Sequence, residues 1–467
     1  MIKKFFKRLF APKVSGDHSR GKLQQLTAST HGIHRNDVSS AAIKTCEGLQ
    51  SAGYKAYLVG GCVRDAMLGK KPKDFDIATN ATPDQVTKIF RRSRVIGRRF
   101  QIVHVMWGRE VIEVTTFRGM QENAETDEHG RVLRDNLFGS LEDDARRRDF
   151  TVNALYYDPQ ADILLDYHNG VKDLKSKTLR VIGDPAARYR EDPVRMLRIA
   201  RFAAKLGFTI EAKSREPIAG LGTLIQNIPP ARLFDEMLKL LTSGHAMACL
   251  KQLRSEGLHK GLLPLLDIIL EQPQGAKFVE HALAQTDTRI RQEKSVSPSF
   301  LFACLLWPQV SQRWEQQLAK GEHSFAGLLR AIDSVLDDQA DELAIQKRIV
   351  VDMREIWTMQ PRFERRQGAT SLRLLEHLRF RSGYDFMLLR SECGEVDTEL
   401  AQWWTEFQAA DNDSREDMIR NAPSAQRQSS KPGNNAGGPK RRRRRKPSGG
   451  SSNTGSGAGA ESRLSNE

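Results

Sequence analysis

Several features that define other protein classes are scarce or missing in this chain of 467 residues. It has five cysteines and no CxxC pair, which argues against a structural zinc site and against a disulfide scaffold. No uninterrupted apolar run reaches the roughly 18 residues that a membrane-spanning helix needs. The N-terminus lacks the long apolar stretch and the small-residue cleavage site of a secretory signal. These absences predict a protein of the reducing cytoplasm.

The chain carries a large positive charge, with 73 lysines and arginines against 58 acidic residues and a net charge of +15. The excess lies at the two ends. Residues 1–40 hold 8 basic and 2 acidic residues, and residues 411–467 hold 12 basic and 6 acidic residues. Each end therefore carries about +6, which leaves about +3 for residues 41–410. Such an excess predicts a polyanionic partner, either nucleic acid or an anionic membrane surface.

The two ends also have distinct patterns. Residues 1–11 place apolar side chains on one helical face and basic side chains on the other. This pattern is typical of a short amphipathic helix in peripheral contact with a membrane, here the inner membrane. The sequence alone favours the alternative, which is a frayed end or a helix packed on its own protein. Residues 423–467 lack aromatic residues and contain the basic run 440–446, so they are predicted to be disordered.

The pattern of secondary structure changes near residue 180. Before it, runs rich in Val, Ile and Thr predict strands among helices, at 56–59, 74–78, 102–106 and 111–117. After it, helical periodicity dominates, at 192–206, 230–243, 299–306, 322–336, 341–358 and 371–392. The sequence therefore predicts an α+β protein, with a mixed α/β head built on a small sheet followed by all-α domains.

The first feature with clear chemistry is Asp74-Phe75-Asp76. Side chains alternate between the faces of a strand, so the two aspartates are predicted to project together while Phe75 points into the core. Neighbouring carboxylates repel each other unless a cation lies between them, and Mg²⁺ is a hard cation that takes oxygen ligands. The motif therefore predicts a magnesium site, with a solvated aspartate pair as the alternative. Glu113, in the strand-like run 111–117, either completes this site or faces solvent.

Upstream of this motif, the apolar run 56–59 ends at Gly60-Gly61, and a helix is predicted to follow. Glycines at such a turn let backbone N–H groups approach a phosphate, and the start of a helix adds a positive partial charge. A double glycine alone is often only a tight turn. A glycine turn followed by two spaced aspartates is the arrangement of a nucleotidyltransferase, in which one element holds the triphosphate and the other holds the metal ion.

A further helix is predicted to begin at Asp192, which suits an N-cap, with Pro193 at its first position. Asp192 and Arg195 are three residues apart, so they are predicted to lie on one face, which Arg198 and Arg201 extend. On the pattern alone, this segment is an ordinary capped helix with a basic surface.

Five motifs occur in order between about residues 57 and 208: LVGGCVRD, KPKDFDIAT, IEVTTFR, RRRDFTVNALYYD and REDPVRMLRIARFAAKLGF. This series resembles the class II nucleotidyltransferases, the family of tRNA CCA-adding enzymes and bacterial poly(A) polymerases. The segment IPPARL, which begins at Ile228, extends the resemblance to about residue 245.

The resemblance implies a role for each matching position. Asp74 and Asp76 match the family's metal-binding carboxylates, and Asp149 matches a further acidic residue of its active site, as a base or in orienting the ribose. The residues implied to bind the nucleotide are Gly60, Gly61, Arg64, Arg148, Asn153, Asp192, Arg195 and Arg198. In this family the matching Asp and Arg of the neck read the Watson–Crick edge of the incoming base, so protein replaces a template.

The resemblance also implies a domain order. It consists of a basic extension (1–40), a nucleotidyltransferase head (41–180), a neck that recognises the base (181–245), an all-α RNA-binding body (246–410) and a disordered basic tail (411–467).

Three features resemble the poly(A) polymerase subgroup. The segment from Val95 to Val105 resembles its GRRF-x-x-x-HV motif, and the helical segments at 362–368, 374–386 and 403–408 resemble its C-terminal part. The basic tail suits an enzyme that binds many RNAs without sequence preference, because neutralising phosphates gives affinity regardless of sequence. The resemblance then implies addition of AMP from ATP to RNA 3′ ends with Mg²⁺, and RNA-decay proteins as partners.

The sequence alone leaves two alternatives open. One is CCA addition to tRNA, although the sequence lacks the His-Asp phosphohydrolase pattern that some CCA-adding enzymes carry. The other is a non-catalytic RNA-binding protein on a transferase fold. The intact aspartate pair argues against the second, because a retired site has no reason to keep two repelling carboxylates.

Overall fold

A computed structural model describes residues 23–97, 101–119, 138–259, 273–340 and 345–423. The strands are β1 (Gln24–Thr27), β2 (Ala56–Val59), β3 (Asp76–Thr79), β4 (Ser93–Ile96), β5 (Ile102–Trp107), β6 (Glu110–Thr116), β7 (Leu155–Asp158), β8 (Ile163–Asp166), β9 (Thr178–Leu179) and β10 (Thr209–Ile210). The helices of the first half are α1 (Ala28–His31), α2 (Ser40–Ser51), α3 (Gly61–Met67), α4 (Pro83–Ile89), α5 (Leu141–Arg147) and α6 (Gly170–Lys175).

The head is organised around one eight-stranded sheet with the strand order β1-β8-β7-β2-β3-β6-β5-β4. The strands β3 and β6 run parallel, and the other neighbouring pairs run antiparallel. Strand β1 pairs with β8 at the sheet edge, so the sheet already begins within residues 1–40, before the predicted start of the head. The four strands expected from the sequence all belong to this sheet.

The two faces of the sheet have different surroundings. On one face, side chains such as Leu58, Ile77 and Val114 form a core with helix α2. On the opposite face, Val59 and Tyr156 belong to a smaller cluster that includes Ala145 of α5. Because side chains alternate along a strand, Asp76 lies on the same face as this smaller cluster.

The second half is helical, as predicted. Its helices are α7 (Pro185–Glu191), α8 (Val194–Leu206), α9 (Ala212–Arg215), α10 (Ile218–Leu221), α11 (Pro230–Leu241), α12 (Ala246–Ser255), α13 (Pro273–Arg291), α14 (Pro298–Ala319), α15 (Ser324–Ala340), α16 (Lys347–Phe363), α17 (Ala369–Leu375), α18 (Phe380–Glu392), α19 (Thr398–Ala409) and α20 (Asn412–Arg420). The predicted helix 371–392 is two helices, α17 and α18. The short strands β9 and β10 pair in parallel beside α8.

The predictions for the chain ends have different outcomes. Residues 1–11 and 424–467 lie outside the described residues. Helix α20, however, lies inside the segment 411–467 that was predicted to be disordered. The helix forms because Asp411 caps it by accepting the Ser414 N–H at 2.8 Å, and because Met418 and Ile419 pack against the aromatic core of α19. None of the described helices has both the length and the apolar character that crossing a membrane requires.

Candidate active site

The two aspartates of the Asp74-Phe75-Asp76 motif lie where the chain enters β3. Asp76 is the first residue of β3, whereas Asp74 lies in an exposed bend before it. The prediction of a strand over both aspartates is therefore wrong for Asp74, because β3 is only four residues long. Phe75 is buried in the core of the head, as predicted.

Glu113 lies beside Asp76 across the sheet. The two residues are opposite each other in the parallel pair of β3 and β6, and the Glu113 N–H donates to the Phe75 carbonyl at 3.3 Å. On its other side Glu113 faces His104 of β5, whose Nε2 is 3.4 Å from Glu113 Oε1. The structure thus brings Glu113 next to the start of β3, where the aspartates lie. We call the place formed by Asp74, Asp76 and Glu113 the carboxylate edge. The role of Glu113 as a metal ligand stays a prediction.

The negative charges at this edge act on one another. Burial, followed by the charges of Glu113 and Asp74, raises the pKa of the Asp76 carboxyl to about 6, although Arg148 opposes this shift. A divalent cation would relieve the repulsion, so the chemistry of these oxygen donors fits Mg²⁺. The described residues contain no group of three or more His, Cys, Asp or Glu side chains arranged to hold a metal ion. Mg²⁺ commonly completes its shell with water and substrate phosphates.

The glycine turn lies next to the same edge, as predicted. Strand β2 ends at Val59, which pairs with Asp76, and α3 begins at Gly61. Gly60 has φ +81° and ψ −127°, a conformation that residues with a Cβ rarely adopt. A Cβ at Gly60 would lie 3.6 Å from Arg148 Nη1. The turn therefore leaves room for the Arg148 guanidinium close to the backbone.

A buried carboxylate that sequence reasoning did not identify holds Arg148. The Asp144 side chain is fully buried, and its Oδ2 accepts hydrogen bonds from Arg148 Nη2 at 3.0 Å and from Tyr156 Oη at 2.7 Å. Burial raises the pKa of the Asp144 carboxyl, but the charges of Arg148 and Arg147 outweigh burial and lower this pKa to about 2. Asp144 is therefore a fixed anion that orients Arg148.

Four of the residues predicted to belong to the site form one hydrogen-bonded chain from the head to α8. Arg64 Nη1 donates to Asn153 Oδ1 at 2.6 Å, and Asn153 Nδ2 donates to Asp149 Oδ1 at 3.3 Å. Arg198 Nε and Nη2 donate to Asp149 Oδ2 at 2.9 and 2.6 Å. Burial raises the pKa of the Asp149 carboxyl, but the charge of Arg198 and these hydrogen bonds outweigh burial and leave the pKa below its ordinary value.

The chain continues to Glu236 of α11, which sequence reasoning also missed. Glu236 is 7% exposed, and its carboxylate lies 3.5 Å from Arg198 Nη1, 3.4 Å from Arg201 Nη2 and 3.2 Å from Lys239 Nζ. Arg201 is therefore buried in this network, and the prediction that it extends a basic surface is wrong. Glu236 balances the positive charges of α8, so Arg201 can be buried there and Arg198 can lie half-buried beside Asp149.

Replacing Glu236 with glutamine is expected to lower the free energy of unfolding by about 2 kcal/mol, because the buried Arg201 and the half-buried Arg198 lose their counter-charge. We also expect a several-fold lower kcat/KM for ATP, since Arg198 then holds Asp149 less firmly. Denaturant unfolding and initial rates at varied ATP concentration measure the two effects. Asp235→Asn, at the exposed neighbouring position, is the matched control. Equal stability of the Glu236 and Asp235 variants would contradict the charge-balancing role.

Asp192 does not cap α8. The cap position of that helix is Pro193, and Asp192 instead ends α7. The carboxylate of Asp192 accepts a hydrogen bond from Arg232 Nη2 at 3.0 Å through Oδ2. Its Oδ1 is buried and has no hydrogen-bond partner among the residues that the structure describes. The predicted cap is wrong because α7 runs almost directly into α8, which leaves Asp192 between two helices.

The side chain of Arg195 is tied to the end of α7, while the Arg195 backbone N–H donates to the Asp192 carbonyl at 3.0 Å. Its Nη1 donates to Glu191 Oε2 and to the Arg188 carbonyl, both at 2.8 Å. Arg188 in turn donates from Nη2 to the carbonyls of Arg147 and Arg148 at 2.6 and 2.9 Å. These bonds connect α7 to the chain segment that carries Arg148.

Part of the poly(A) polymerase motif cannot be placed. Residues 98–100 of GRRF-x-x-x-HV lie outside the described residues, whereas His104 of that motif contacts Glu113.

The signals for Asp144 and Glu236 were present in the sequence. Asp144 lies three and four residues before Arg147 and Arg148 on a helix, and Glu236 lies three before Lys239 on the next helix of the neck. Such spacings also occur on solvated helices, so they did not mark these residues as buried.

Comparison with known proteins supports one family across the chain. Three family models match: the poly A polymerase head domain at residues 56–180, a probable RNA and SrmB-binding site of polymerase A at 207–270, and the polymerase A arginine-rich C-terminus at 320–448.

Two relatives differ in how far the likeness extends. Poly(A) polymerase I of Salmonella typhi is 46% identical over 420 residues, which cover 86% of this chain and 90% of that protein. The CCA-adding enzyme of Streptococcus suis is 41% identical over 200 residues, which cover 43% of this chain and 49% of that enzyme.

Among solved structures, a CCA-adding enzyme in an apo form is similar with a TM-score of 0.56 at 18% identity, covering 86% of this chain and 91% of that chain. This likeness concerns the fold alone. Identity over most of the chain, rather than over less than half of it, decides the family. The chain belongs to the bacterial poly(A) polymerase family of nucleotidyltransferases.

Proposed function

We propose that this enzyme adds AMP from ATP to RNA 3′ ends without a template and releases pyrophosphate. The observation that carries this proposal is the 86% coverage of the chain by a poly(A) polymerase I relative, against 43% by a CCA-adding relative. The helical half beyond the neck is therefore shared with the enzyme named for poly(A) synthesis. CCA addition to tRNA is the second candidate, because that family shares the head and neck motifs.

The carboxylate edge is proposed to hold Mg²⁺ through Asp74 and Asp76, with Glu113 adjacent. When bound there, the ion lowers the pKa of the attacking 3′-hydroxyl and stabilises the leaving oxygens. Asp149 has a different role in this proposal. It is held by Arg198 of α8 and by Asn153. This placement supports orientation of the nucleotide rather than metal ligation.

Arg148 is proposed to bind phosphate oxygens of ATP. Its Nη1 faces the Gly60 turn, while Asp144 and Tyr156 fix its other nitrogens in place. A guanidinium that is already oriented loses little conformational entropy when it binds a phosphate. Gly61 continues the same turn, so the turn and Arg148 together form the proposed triphosphate site.

Asp192 and Arg195 are proposed to read the adenine base. Asp192 Oδ1 is a buried acceptor without a partner in the described part of the chain, and the exocyclic amino group of adenine is a donor. Arg195 already uses Nη1 at the end of α7, so its other nitrogens remain for the ring acceptor. A base without an amino donor at this position leaves the buried Asp192 Oδ1 unsatisfied, which costs about 1–3 kcal/mol.

Two wider statements belong to the same proposal. The basic ends support contact with RNA lacking strong sequence preference, and the pattern of residues 1–11 supports a cytoplasmic enzyme in peripheral contact with the inner membrane. RNA-decay proteins are the proposed protein partners, because poly(A) addition promotes RNA turnover.

Incubation with a short RNA, Mg²⁺ and each of the four NTPs tests the proposed reaction. We expect long products with ATP alone and little extension with CTP, GTP or UTP. A CCA end on tRNA lacking it, without A-only extension of other RNAs, would favour the second candidate. No incorporation of any nucleotide would instead favour an RNA-binding protein without catalysis.

A further inference from the structure

The loop that leads to Asp74 touches the helical half of the molecule. Met67 and Leu68, at the end of α3, pack against the large helical core. Further along the loop, Lys73 Nζ lies 3.3 Å from Glu293 Oε1, just past the end of α13. The segment between α3 and the carboxylate edge therefore lies at a junction between head and helices.

Three helix ends meet on the helical side of this junction. The Ala246 N–H, at the start of α12, donates to Asp287 Oδ1 of α13 at 2.9 Å. Arg291 Nη1, at the end of α13, donates to the Gly244 carbonyl at 3.3 Å. Helix α12 also packs along α8, with Cys249 Sγ 3.7 Å from the Arg201 carbonyl. The end of α8, which carries Lys205, is therefore next to the start of α12, where His245 lies.

Four basic side chains come together at this junction, and we call them the junction cluster: Lys70, Lys205, His245 and Arg291. Burial, and then the positive charges of Arg64, Arg201 and Lys70, lower the pKa of Lys205, while Asp65 opposes the shift. Burial also lowers the pKa of His245, with Arg291, Lys70 and Lys205 acting in the same direction and Asp287 against it. The charge of Lys70 thus acts on Lys205, and the charges of Lys70, Lys205 and Arg291 all act on His245.

The nearby acids are already engaged by other groups. Asp65 is bonded to Arg64, Asp287 accepts the Ala246 N–H, and Glu293 pairs with Lys73. Within the described ranges, Lys70, Lys205 and Arg291 form no ion pair. Asp65 and Asp287 offset only part of the positive charge at this junction. An anionic ligand is therefore favoured, because it balances the rest.

We propose that the junction cluster binds a backbone phosphate of the RNA primer, behind the 3′ end that reacts. The proposal rests on the proposed function, because it assigns part of the RNA path in that reaction. Lys70 is four residues before Asp74, so the two Cα atoms are at most about 14 Å apart. The cluster therefore lies within a few nucleotides of the carboxylate edge.

The position of α3 argues for RNA rather than the triphosphate of ATP. The proposed triphosphate site is at Gly60, just before α3, whereas Lys70 follows its other end. A helix of seven residues is about 10 Å long. A phosphate at the junction cluster is thus separated from the triphosphate site by the length of α3.

The test is the double variant Lys70→Ala/Lys205→Ala, with Lys172→Ala/Lys175→Ala on the exposed face of α6 as the matched control. Binding of a labelled 20-nucleotide oligo(A) is measured without ATP or Mg²⁺ at several salt concentrations. We expect the Kd to rise about five- to tenfold and the slope of log K against log salt to become shallower by about 1.4, since each lost contact to single-stranded RNA removes about 0.7. The control should leave both values unchanged.

Steady-state kinetics complete the test. We expect a higher KM for RNA, with the KM for ATP and the rate at saturating RNA near wild type. An unchanged Kd and salt slope, or a higher KM for ATP alone, would overturn the proposal. The variant Lys70→Arg/Lys205→Arg keeps the charges and should restore binding, and Arg291→Ala repeats the test if the double variant is unstable. Wild-type protein that binds RNA through the cluster but incorporates no AMP would refute the proposed function and leave this site standing.

Discussion

Asp76→Asn is expected to reduce AMP incorporation by about 10³-fold or more while leaving the fold intact. Asp76 is the first residue of β3, and burial together with the charges of Glu113 and Asp74 raises the pKa of its carboxyl. Asparagine has the same shape but no charge, so the edge loses its hold on a cation and the electrostatic stabilisation that the cation supplies. Rates of incorporation with saturating ATP, RNA and Mg²⁺ measure the loss. We expect the same result for Asp74→Asn.

A stability measurement separates this effect from unfolding. Because burial and the neighbouring carboxylates raise the pKa of Asp76, removing its charge relieves both penalties, and the Tm should stay at or above the wild-type value. Asp84→Asn, on the first turn of α4, is the matched control and should retain full activity. Wild-type activity of Asp76→Asn in the presence of Mg²⁺ would remove the basis for a two-aspartate metal site.

Asp144→Asn is expected to have the largest effect on stability, with a loss of about 3 kcal/mol, because it removes a fully buried anion and leaves the half-buried Arg148 without its partner. Incorporation of AMP should fall as well, since Arg148 is no longer held toward the Gly60 turn. Thermal and denaturant unfolding measure the first effect, and the KM for ATP measures the second. Glu142→Gln, which breaks an exposed pair with Arg146 on the same helix, should cost no more than about 0.5 kcal/mol.

The stability effect of Asp144 should depend on pH. The pKa of this carboxyl is about 2 in the folded protein, below its ordinary value of 3.8. Its stabilising contribution is therefore complete above the ordinary value and is lost as the pH falls from about 4 toward 2. The difference in stability between wild type and Asp144→Asn should shrink over that range. A difference that stays constant down to pH 2 would show that the carboxylate charge is not its source.

The sequence predicted the parts of the molecule in which local chemistry and local structure coincide. The glycine turn, the Asp74–Asp76 motif and the helical second half all have short-range signatures, and the structure contains each of them. Four further strands of the sheet, β1, β4, β7 and β8, were not expected. Their pairing depends on distant partners rather than on their own composition.

In the candidate site, too, the residues with a local motif were predicted, whereas those that depend on packing between distant segments were not. Arg64, Asn153, Asp149 and Arg198 were chosen by motif, and they form one hydrogen-bonded chain. The groups that support them, Asp144 and Glu236, were missed because burial is a property of packing between helices. Asp192 was misplaced for a related reason: a good capping residue caps nothing when the preceding helix ends directly against the next one.

The parallel pairing of β3 with β6 has a consequence for how activity arises during folding. Asp76 and Glu113 are far apart in the chain and become neighbours only when these two strands pair. Closing such a loop is slow compared with forming local helices. In a refolding experiment, helical circular dichroism should therefore recover before AMP incorporation does. The carboxylate edge would be among the last parts of the enzyme to be assembled.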